Sequence, residues 1–398
     1  MKVLVVLDNI HTGGISKSLL NFLPHICKYG DCDLLLFRND NIDATLIPPE
    51  VTILNGDRKL SILGMSQSEI KAKSKKHFIY RSLLVMLARV FGGNRSRRIL
   101  FRQIADVGTY DIAISYSQDV RWNSISTGCN HFVIEKTKAR YKAAFIHCDY
   151  EHFGGYDPRQ LSDYQKFDSI VCVSQSCANS FAKMFPSLSN KCIVCENFTN
   201  TDEIYDKLAT GYREYQHNRI IFSTVCRLGE EKGIERGIGV FGRLLSEGYQ
   251  NFQWIIVGDG PEHEKIEQTI KQYGLSDYVE LVGKKSNPYY YVKDSDVFLL
   301  PSFHEAAPMV FGEAHAMGVP ILTTDTISAY ELVENRGLGK VCINSEAGLY
   351  SKLKEILSGT TVLERISASK IAEINTYAEQ ELIYFLQLVE EKIYHDRG

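Results

Sequence analysis

The chain alternates short apolar, β-branched runs with amphipathic segments, and this alternation occurs twice along its 398 residues. The first series begins with a strand predicted at residues 2–7 and a helix predicted at 16–28. Strands that alternate with helices are typical of a parallel sheet covered by helices on both faces. A polar, tyrosine-containing stretch at 201–218 interrupts the pattern, which starts again at Arg219. Because one core rarely extends over this length, the sequence predicts two doubly wound domains.

Further elements are predicted wherever an apolar run is bounded by turn residues. In the first half, strands are predicted at residues 32–37, 111–116, 142–147, 169–174 and 191–195. In the second half, strands are predicted at 222–226, 252–257, 278–282, 297–300 and 320–323, and helices at 233–246, 262–273 and 309–317.

Three segments follow from this pattern. We place an N-terminal Rossmann-like domain at 1–205 and a C-terminal one at 206–375. The amphipathic stretch 376–398 is expected to pack back toward the N-terminal domain as a helix. The two domains are expected to face each other across a cleft, because doubly wound folds bind ligands beyond the carboxyl ends of their strands.

Composition excludes several classes of protein. The ten cysteines have no framework spacing, which favours reduced thiols in a reducing compartment, and the pair Cys192 and Cys195 lacks the further ligands that a zinc site needs. No uncharged apolar stretch reaches the roughly 18 residues of a membrane-spanning helix, since Arg89 interrupts the longest candidate at 82–91. The N-terminal apolar run is shorter than the core of a signal peptide. We therefore expect a cytoplasmic protein, either soluble or peripheral on the inner face of the cell membrane.

Two cations follow the strand predicted at 222–226. Arg227 and Lys232 stand at the carboxyl end of that strand and just before the next helix, which begins near Gly233. Arginine offers a planar fork of donors, lysine offers a mobile charge, and the free amides of the helix start add to both. The pattern favours a diphosphate site, and its alternative is a loop of solvated surface charges.

A glycine-containing turn follows the strand predicted at 252–257. Gly258 and Gly260 precede Pro261, which opens the next helix. Such a turn lets a nucleotide approach the backbone closely, although many ordinary turns in α/β proteins look the same. We take both glycines as candidates for contact with a nucleotide.

Two glutamates bracket the start of the helix predicted at 309–317. Glu305 precedes Pro308 in the first turn, and Glu313 lies about one and a half turns inside the helix. Carboxylates accept two hydroxyl hydrogen bonds at once, which suits the vicinal diol of a ribose or a sugar. The residues whose position at the helix start predicts contact with a phosphate or ribose oxygen are Ala307, Pro308, Met309 and Val310. The alternative is that Glu305 caps the helix and Glu313 is a charge on its face.

In order and spacing, these three motifs resemble the C-terminal domain of the GT-B enzymes of glycosyltransferase family 4, of the bacterial polysaccharide-biosynthesis type. The resemblance covers residues 219–345. It implies that the domain at 1–205 binds the acceptor and that the domain at 206–375 binds the sugar nucleotide. It implies a retaining, metal-independent glycosyltransferase without a cofactor, which moves a hexose-type sugar from a nucleotide diphosphate donor, with UDP favoured. The implied acceptor is a lipid-linked saccharide or another glycan in the synthesis of capsule, exopolysaccharide or a related cell-surface polysaccharide.

The same resemblance implies roles for individual residues. Arg227 and Lys232 would bind the donor diphosphate and stabilise the charge that develops on it as the glycosidic bond breaks. Glu313 would hold the ribose hydroxyls, and Glu305 would contact the transferred sugar and orient its anomeric carbon. The chain departs from the family at Ala306, where glycine is common, which argues against a positive φ at that position.

Three residues in the first half are further candidates. Gly14 lies in the Thr-Gly-Gly-Ile run at 12–15, where the backbone can approach an acceptor or the donor phosphates and where the family commonly has a double glycine; the alternative is an ordinary tight turn into a helix. The run is not GxGxxG, which argues against a dehydrogenase. His147 ends the strand predicted at 142–147 and resembles the family histidine that hydrogen-bonds the donor sugar, with a purely structural histidine as the alternative. Asp149 is a candidate on the acceptor side.

Residues 66–102 contain ten lysines and arginines and a single acid, Glu69, whereas the whole chain has a net charge of −3. The rest of the chain therefore carries about −12. A basic amphipathic helix is attracted by an anionic leaflet, so we expect this segment to contact a membrane surface. The alternative is a core helix with solvated basic flanks, and the acidic remainder argues against nucleic acid as a partner.

Two rival functions remain open at this point. A GT-B sugar-nucleotide epimerase would act on a single substrate without an acceptor. A non-catalytic partner subunit of a glycosyltransferase would be expected to lack the donor-site residues that this chain retains.

Overall fold

The computed structural model describes residues 1–10, 13–40, 42–54, 56–57, 59–119, 121–215 and 218–395. The chain divides into two compact units. The first unit consists of Met1–Phe198 and Ala378–Gly398, and the second consists of Thr199–Tyr377. Each unit is built around one parallel sheet.

The first unit has a seven-stranded parallel sheet with the order β3-β2-β1-β4-β5-β6-β7. Its strands are β1 (Lys2–Asn9), β2 (Asp31–Arg38), β3 (Val51–Leu54), β4 (Thr109–Ser115), β5 (Lys138–Ile146), β6 (Ser169–Cys172) and β7 (Cys192–Val194). Its first eight helices are α1 (Gly14–Ile26), α2 (Ser61–Gly64), α3 (Gln67–Lys73), α4 (Lys75–Phe91), α5 (Gly93–Phe101), α6 (Cys129–Lys136), α7 (Leu161–Tyr164) and α8 (Gln175–Met184). The strand order reverses between β1 and β4, which is the topology that places a ligand crevice beyond the carboxyl ends of the strands.

The second unit has a six-stranded parallel sheet with the order β10-β9-β8-β11-β12-β13. Its strands are β8 (Ile220–Val225), β9 (Phe252–Val257), β10 (Val279–Gly283), β11 (Val297–Leu300), β12 (Ile321–Thr324) and β13 (Gly339–Cys342). Its helices are α9 (Thr201–Leu208), α10 (Ile234–Ser246), α11 (His263–Gln272), α12 (Met309–Ala316), α13 (Glu346–Leu357) and α14 (Ala368–Ala372). Here the order reverses between β8 and β11, so the loops after these two strands lie side by side.

The last helix, α15 (Thr376–His395), packs on the core of the first unit. Leu382, Phe385 and Val389 are buried in the same apolar cluster as the inner strands. The ring of Phe385 lies 6.3 Å from that of Phe145 on β5. Burial of this apolar stripe is what holds the helix against the sheet.

The predicted fold class, two Rossmann-like α/β domains, is confirmed. The inner strands could be predicted from their continuous apolar runs, because the strands of a parallel sheet are buried on both faces. Two strands were not predicted, β3 and β13, which are four residues each and lie at sheet edges. A short edge strand buries less apolar surface and therefore carries a weaker sequence pattern.

The basic segment 66–102 is not one amphipathic helix, as we expected, but three helices, α3 to α5. Gly92 separates α4 from α5, and its φ of 91° ends the first of these helices. Two of the ten basic residues, Arg81 and Arg97, are buried. No helix among the described residues is long and apolar enough to cross a membrane.

Candidate functional site

The loop after β8 carries both predicted cations and is shaped by a glycine. A short 3-10 turn, Glu230–Lys232, leads into Gly233, which has a φ of 63°, and α10 follows. A Cβ at this position would lie 2.1 Å from the carbonyl oxygen of Pro301. Glycine is therefore required both for the left-handed conformation and for the close approach of the loop after β11.

Two predicted site residues meet across these loops. Nζ of Lys232 donates to Oε1 of Glu305 at 2.6 Å, and the two side chains are 20% and 9% exposed. The hydroxyl of Ser302 donates to the same carboxylate oxygen at 2.7 Å. Ala306 does not have a positive φ, since Thr127 is the one non-glycine residue with a positive φ in the described part of the chain. The structure thus combines the predicted cation and the predicted sugar-contacting carboxylate in one half-buried ion pair.

Arg227 lies on the same loop but contacts a different carboxylate. Its guanidinium donates to Oε1 of Glu231 at 2.6 Å, and its side chain is 64% exposed. An exposed ion pair of this kind contributes little stability, so the guanidinium can exchange Glu231 for an anionic ligand at small cost. The structure therefore does not bring Arg227 into the Lys232–Glu305 pair.

The two candidate glycines after β9 pack against the loop after β8. A Cβ on Gly258 would lie 1.8 Å from the carbonyl oxygen of Cys226, and a Cβ on Gly260 would lie 2.4 Å from that of Leu228. The amide of Leu228 donates to the carbonyl of Asp259 at 3.0 Å. These close contacts explain why glycine is needed at both positions. Contact of the two glycines with a donor stays a prediction.

Helix α12 presents the second carboxylate. Glu313 is buried, which argues against an ordinary surface charge on the helix face, and its role at the ribose stays a prediction. Pro308 caps the helix with an extended backbone, and the next two residues, Met309 and Val310, are half-buried in the first turn. The amides of a first turn have no acceptor within their own helix. Together with half-buried Ala307, these residues form the strip that we predict to contact the donor.

One positioning residue was not predicted. The guanidinium of Arg236, in the first turn of α10, donates to the carbonyl of Pro301 at 2.6 Å and to Asn344 Oδ1 at 2.9 Å. It also stacks over the ring of Phe303 at 4.0 Å. Arg236 therefore fixes the start of the loop that carries Glu305. A charged residue three positions after the helix-opening glycine was the only sequence signal.

In the first unit, His147 directly follows β5 at its carboxyl end. Burial lowers the pKa of its imidazole to about 4, although a hydrogen bond with the Tyr116 backbone acts in the opposite direction. Its Nε2 is buried and has no hydrogen-bond partner among the described residues. The ring is therefore neutral at physiological pH and retains one nitrogen that can hydrogen-bond a ligand.

This pKa predicts an acid-sensitive contribution to stability. The unfolded chain takes up a proton at the ordinary histidine pKa of 6.5, whereas the folded chain takes it up only near 4. Stability from this residue is therefore constant above about pH 6.5 and falls as the pH drops toward 4. Between pH 7 and pH 5, wild type should lose up to about 2 kcal/mol more than His147→Gln in urea unfolding. Parallel pH profiles for the two proteins would contradict this expectation.

The remaining two candidates of the first unit differ in their surroundings. Gly14 is the exposed first residue of α1, and a Cβ there would meet nothing within 4 Å, while Thr12 of the same run lies outside the described residues. Asp149 is engaged locally, because its two carboxylate oxygens accept hydrogen bonds from Ser180 at 2.6 Å and contact His152 at 2.7 Å. The geometry leaves Gly14 open to a ligand and gives Asp149 a role in holding its own loop.

The described residues contain no group of three or more His, Cys, Asp or Glu side chains placed to bind a metal ion. Cys192 and Cys195 are free thiols on and just after β7.

Residues 213–372 match the family of glycosyl transferases group 1. The matched region contains the loops after β8, β9 and β11 and the whole of α12. Lys232, Glu305, Arg227 and Glu313 therefore lie within the glycosyl transferases group 1 region, whereas His147 lies outside it.

Two curated relatives agree with this match. An uncharacterized glycosyltransferase of Methanocaldococcus jannaschii is 30% identical over 166 residues, which is 41% of each chain. The amylovoran biosynthesis glycosyltransferase AmsK of Erwinia amylovora is 27% identical over 188 residues, or 45% of this chain and 46% of AmsK. The chain thus spans less than half of the length of these relatives.

A solved structure extends the similarity in fold to both units. HepE of Anabaena, solved in complex with UDP, superposes with a TM-score of 0.63 and 15% identity over 97% of this chain and all of HepE. At this identity the likeness concerns the fold, which is the GT-B fold. The glycosyl transferases group 1 region accordingly occupies the second of two Rossmann-like units.

Proposed function

We propose that this protein is a retaining, metal-independent glycosyltransferase of family 4 type. In this proposal it transfers a hexose-type sugar from a nucleotide diphosphate, with UDP favoured, to a lipid-linked saccharide or another glycan during capsule or exopolysaccharide synthesis. The observation that carries the proposal is the contact of 2.6 Å between Lys232 and Glu305 at the carboxyl ends of β8 and β11. A cation and a carboxylate held together there can bind the two parts of a sugar diphosphate: the cation binds the diphosphate leaving group, and the carboxylate binds the sugar.

In the proposed reaction, the bond between the anomeric carbon and the diphosphate oxygen breaks, and its electron pair stays on the diphosphate. The acceptor hydroxyl oxygen bonds to the anomeric carbon on the same face and releases its proton to the departing diphosphate. Lys232 and Arg227 stabilise the charge that grows on that diphosphate, which is the task of a metal ion in other transferases. Glu305 orients the sugar, and Glu313 accepts hydrogen bonds from the ribose hydroxyls.

His147 fits a role in orienting the sugar. Its neutral imidazole has an Nε2 without a partner among the described residues. A sugar hydroxyl that bonds this nitrogen would satisfy a buried polar group, which otherwise costs free energy. The choice of UDP is supported by the UDP complex of HepE, and the choice of a cell-surface polysaccharide by the name of AmsK.

Binding of UDP should raise the thermal unfolding midpoint. At about one hundred times its Kd, a ligand stabilises the folded state by about 2.7 kcal/mol, which corresponds to a shift of several degrees for a unit of this size. The measurement is a thermal-shift series with UDP, GDP, ADP and their sugar conjugates, with uridine as the control that lacks phosphate. An unchanged midpoint with all of these nucleotides would contradict the donor site.

We further propose that the protein lies on the inner face of the cell membrane and contacts it through α4. This helix exposes an apolar ridge, defined by Ile79, Leu83, Met86 and Val90, on the side opposite its buried residues. Eight of the ten basic residues of 66–102 are not buried, and two of them, Lys75 and Lys76, are exposed in the first turn of α4. Apolar side chains flanked by lysine and arginine match the chemistry of an anionic leaflet.

Leu83→Ser should weaken binding to vesicles that contain phosphatidylglycerol by roughly fivefold, because it removes one inserted apolar side chain. A matched control is Leu46→Ser, since Leu46 is also 54% exposed but lies outside the ridge. Vesicle flotation measures both variants, and phosphatidylcholine vesicles should bind neither strongly. Equal affinities of the two variants would contradict contact through the ridge.

A further inference from the structure

A cavity of about 450 Å³ opens in the first unit between α4 and the loops that follow β4 and β5. Three arginines line it, Arg81, Arg89 and Arg121, together with the neutral polar residues Asn123, Ser124 and Ser126. None of the described lining residues carries a carboxylate. The volume is in the range of ordinary small-ligand sites, and the lining is cationic.

Arg81 is the decisive group of this pocket. Its side chain is 7% exposed, and its guanidinium donates only to neutral acceptors, the carbonyls of Ile62 at 3.0 Å and Met65 at 2.6 Å and the hydroxyl of Ser126 at 3.3 Å, among the described residues. Burial lowers the pKa of Arg81, and its buried Nε has no acceptor in the described part of the chain. A buried charge without a counter-ion is costly unless a ligand supplies one.

Arg97 shows how the fold treats a buried arginine that has a structural role. It is 4% exposed and faces the carboxylate of Asp119 at 4.0 Å. Arg81 is equally inaccessible but lines a cavity instead of facing an acid. Among the described residues no acid pairs with Arg81, so a ligand in the cavity would supply the counter-ion that the fold does not.

The other two arginines extend this charge toward the opening. Arg89 lies two turns after Arg81 on the same side of α4, and both side chains are separated from the apolar ridge of that helix. Arg121 joins the two loops, because its Nε donates to the carbonyl of Gly154 at 3.4 Å. Gly154 has a φ of 73°, and a Cβ there would meet nothing within 4 Å, so the backbone is open to a ligand. The pocket lies at the same sheet edge as His147, beyond the carboxyl ends of the strands.

We propose that this pocket binds the phosphate or diphosphate group of the acceptor, an inference that rests on the proposed transferase function. Three guanidinium groups offer bidentate donors to phosphate oxygens, and their combined charge matches a diphosphate better than a single carboxylate. The ridge and the pocket occupy different sides of α4, so a lipid anchor can stay in the membrane while its phosphate enters the pocket. The acceptor class is therefore a phosphate ester, in accordance with a lipid-linked saccharide.

Trp122 offers a local optical signal for the test. It lies between two lining residues in sequence, Arg121 and Asn123, and its ring stacks on the guanidinium of Arg159 at 3.5 Å. The only other tryptophan, Trp254, is buried in the core of the second unit. Tryptophan fluorescence is recorded during titration with inorganic pyrophosphate and with geranyl diphosphate, at constant ionic strength and with saturating UDP to occupy the donor site.

Wild type should show a saturable change that is absent in Trp122→Phe. The double variant Arg89→Gln/Arg121→Gln should bind at least about tenfold more weakly, because two charge-assisted contacts are lost. Arg102→Gln, which removes an exposed charge outside the pocket, should bind within about twofold of wild type. Unchanged affinity of the double variant, or binding of neither diphosphate to wild type, would overturn the proposal.

The two probes separate the sources of the phosphate. Tighter binding of geranyl diphosphate supports a lipid-linked acceptor, and equal binding supports recognition of the phosphate alone. UDP binding, measured by thermal shift on the same samples, also checks that each variant is folded. A protein that binds UDP but neither probe refutes this pocket and leaves the donor site intact, whereas the reverse result refutes the donor site and leaves the pocket as a phosphate site. If the double variant fails to fold, the single variant Arg89→Gln at an exposed position provides the same comparison with an expected loss of about fivefold.

Discussion

Lys232→Ala is expected to lower the rate of sugar transfer by at least about a hundredfold. The substitution removes the ammonium group that lies 2.6 Å from Glu305 and that we assign to the leaving diphosphate. It also leaves the carboxylate of Glu305, which is 9% exposed, without its cation, so a loss of about 1–3 kcal/mol in unfolding free energy is expected. Release of UDP from a UDP-sugar in the presence of acceptor measures the rate, and circular dichroism checks the fold.

Two comparisons separate the chemical effect from the structural one. The double variant Lys232→Ala/Glu305→Gln removes both charges and should recover stability but not transfer. Lys352→Ala breaks an ion pair of the same length, 2.6 Å to Glu355, in a lysine that is 25% exposed and outside the site. This control should retain nearly full activity. If Lys232→Ala turns over as fast as wild type, the role of Lys232 at the leaving group is refuted.

Gly233→Ala is expected to destabilise the second unit by about 3 kcal/mol or more, since it combines backbone strain with a steric clash. The residue has a φ of 63°, and the new Cβ would lie 2.1 Å from the carbonyl oxygen of Pro301. A carbonyl in a loop that Arg236 holds in place cannot move away easily. Because Lys232 immediately precedes this glycine, transfer should decline together with stability.

Gly274 provides a matched control for the free-energy cost of the left-handed backbone conformation alone. Gly274 has a φ of 65°, and a Cβ there would meet nothing within 4 Å. Gly274→Ala should therefore cost only the left-handed conformation, roughly 1 kcal/mol. Urea unfolding in a Trp122→Phe background, followed by the fluorescence of the buried Trp254, gives both values. Equal losses for the two variants would show that the approach of the two loops does not constrain Gly233.

Local patterns were sufficient for the fold class and for much of the element order. The strands predicted at 252–257 and 297–300 have the same bounds in the structure, because each is a continuous apolar run between turn residues. The edge strands β3 and β13 were not predicted, because they are short and only partly buried and therefore lack a continuous apolar run. The basic composition of residues 66–102 was evident from the sequence, but the division of this segment into three helices was not.

The candidate site was accessible from the sequence only as separate motifs. The loop with Lys232 and the loop with Glu305 are 73 residues apart, and their contact depends on the pairing of β8 with β11. A sequence pattern shows that each residue stands at a strand end, but it does not show which strands are neighbours. The close backbone contacts of Gly258 with Cys226 have the same origin, because they require two loops to lie side by side.

The sequence by itself determined that the chain forms two α/β domains and that cations and carboxylates stand at the carboxyl ends of strands in the second. These features depend on local hydrophobic periodicity and on motif spacing, which act over a few residues. The tertiary structure alone decided that Lys232 pairs with Glu305 and that Arg81 is buried beside a cavity. These outcomes depend on which side chains surround a charge after the sheet has formed. Burial and the presence of a counter-ion are properties of that arrangement rather than of the residue itself.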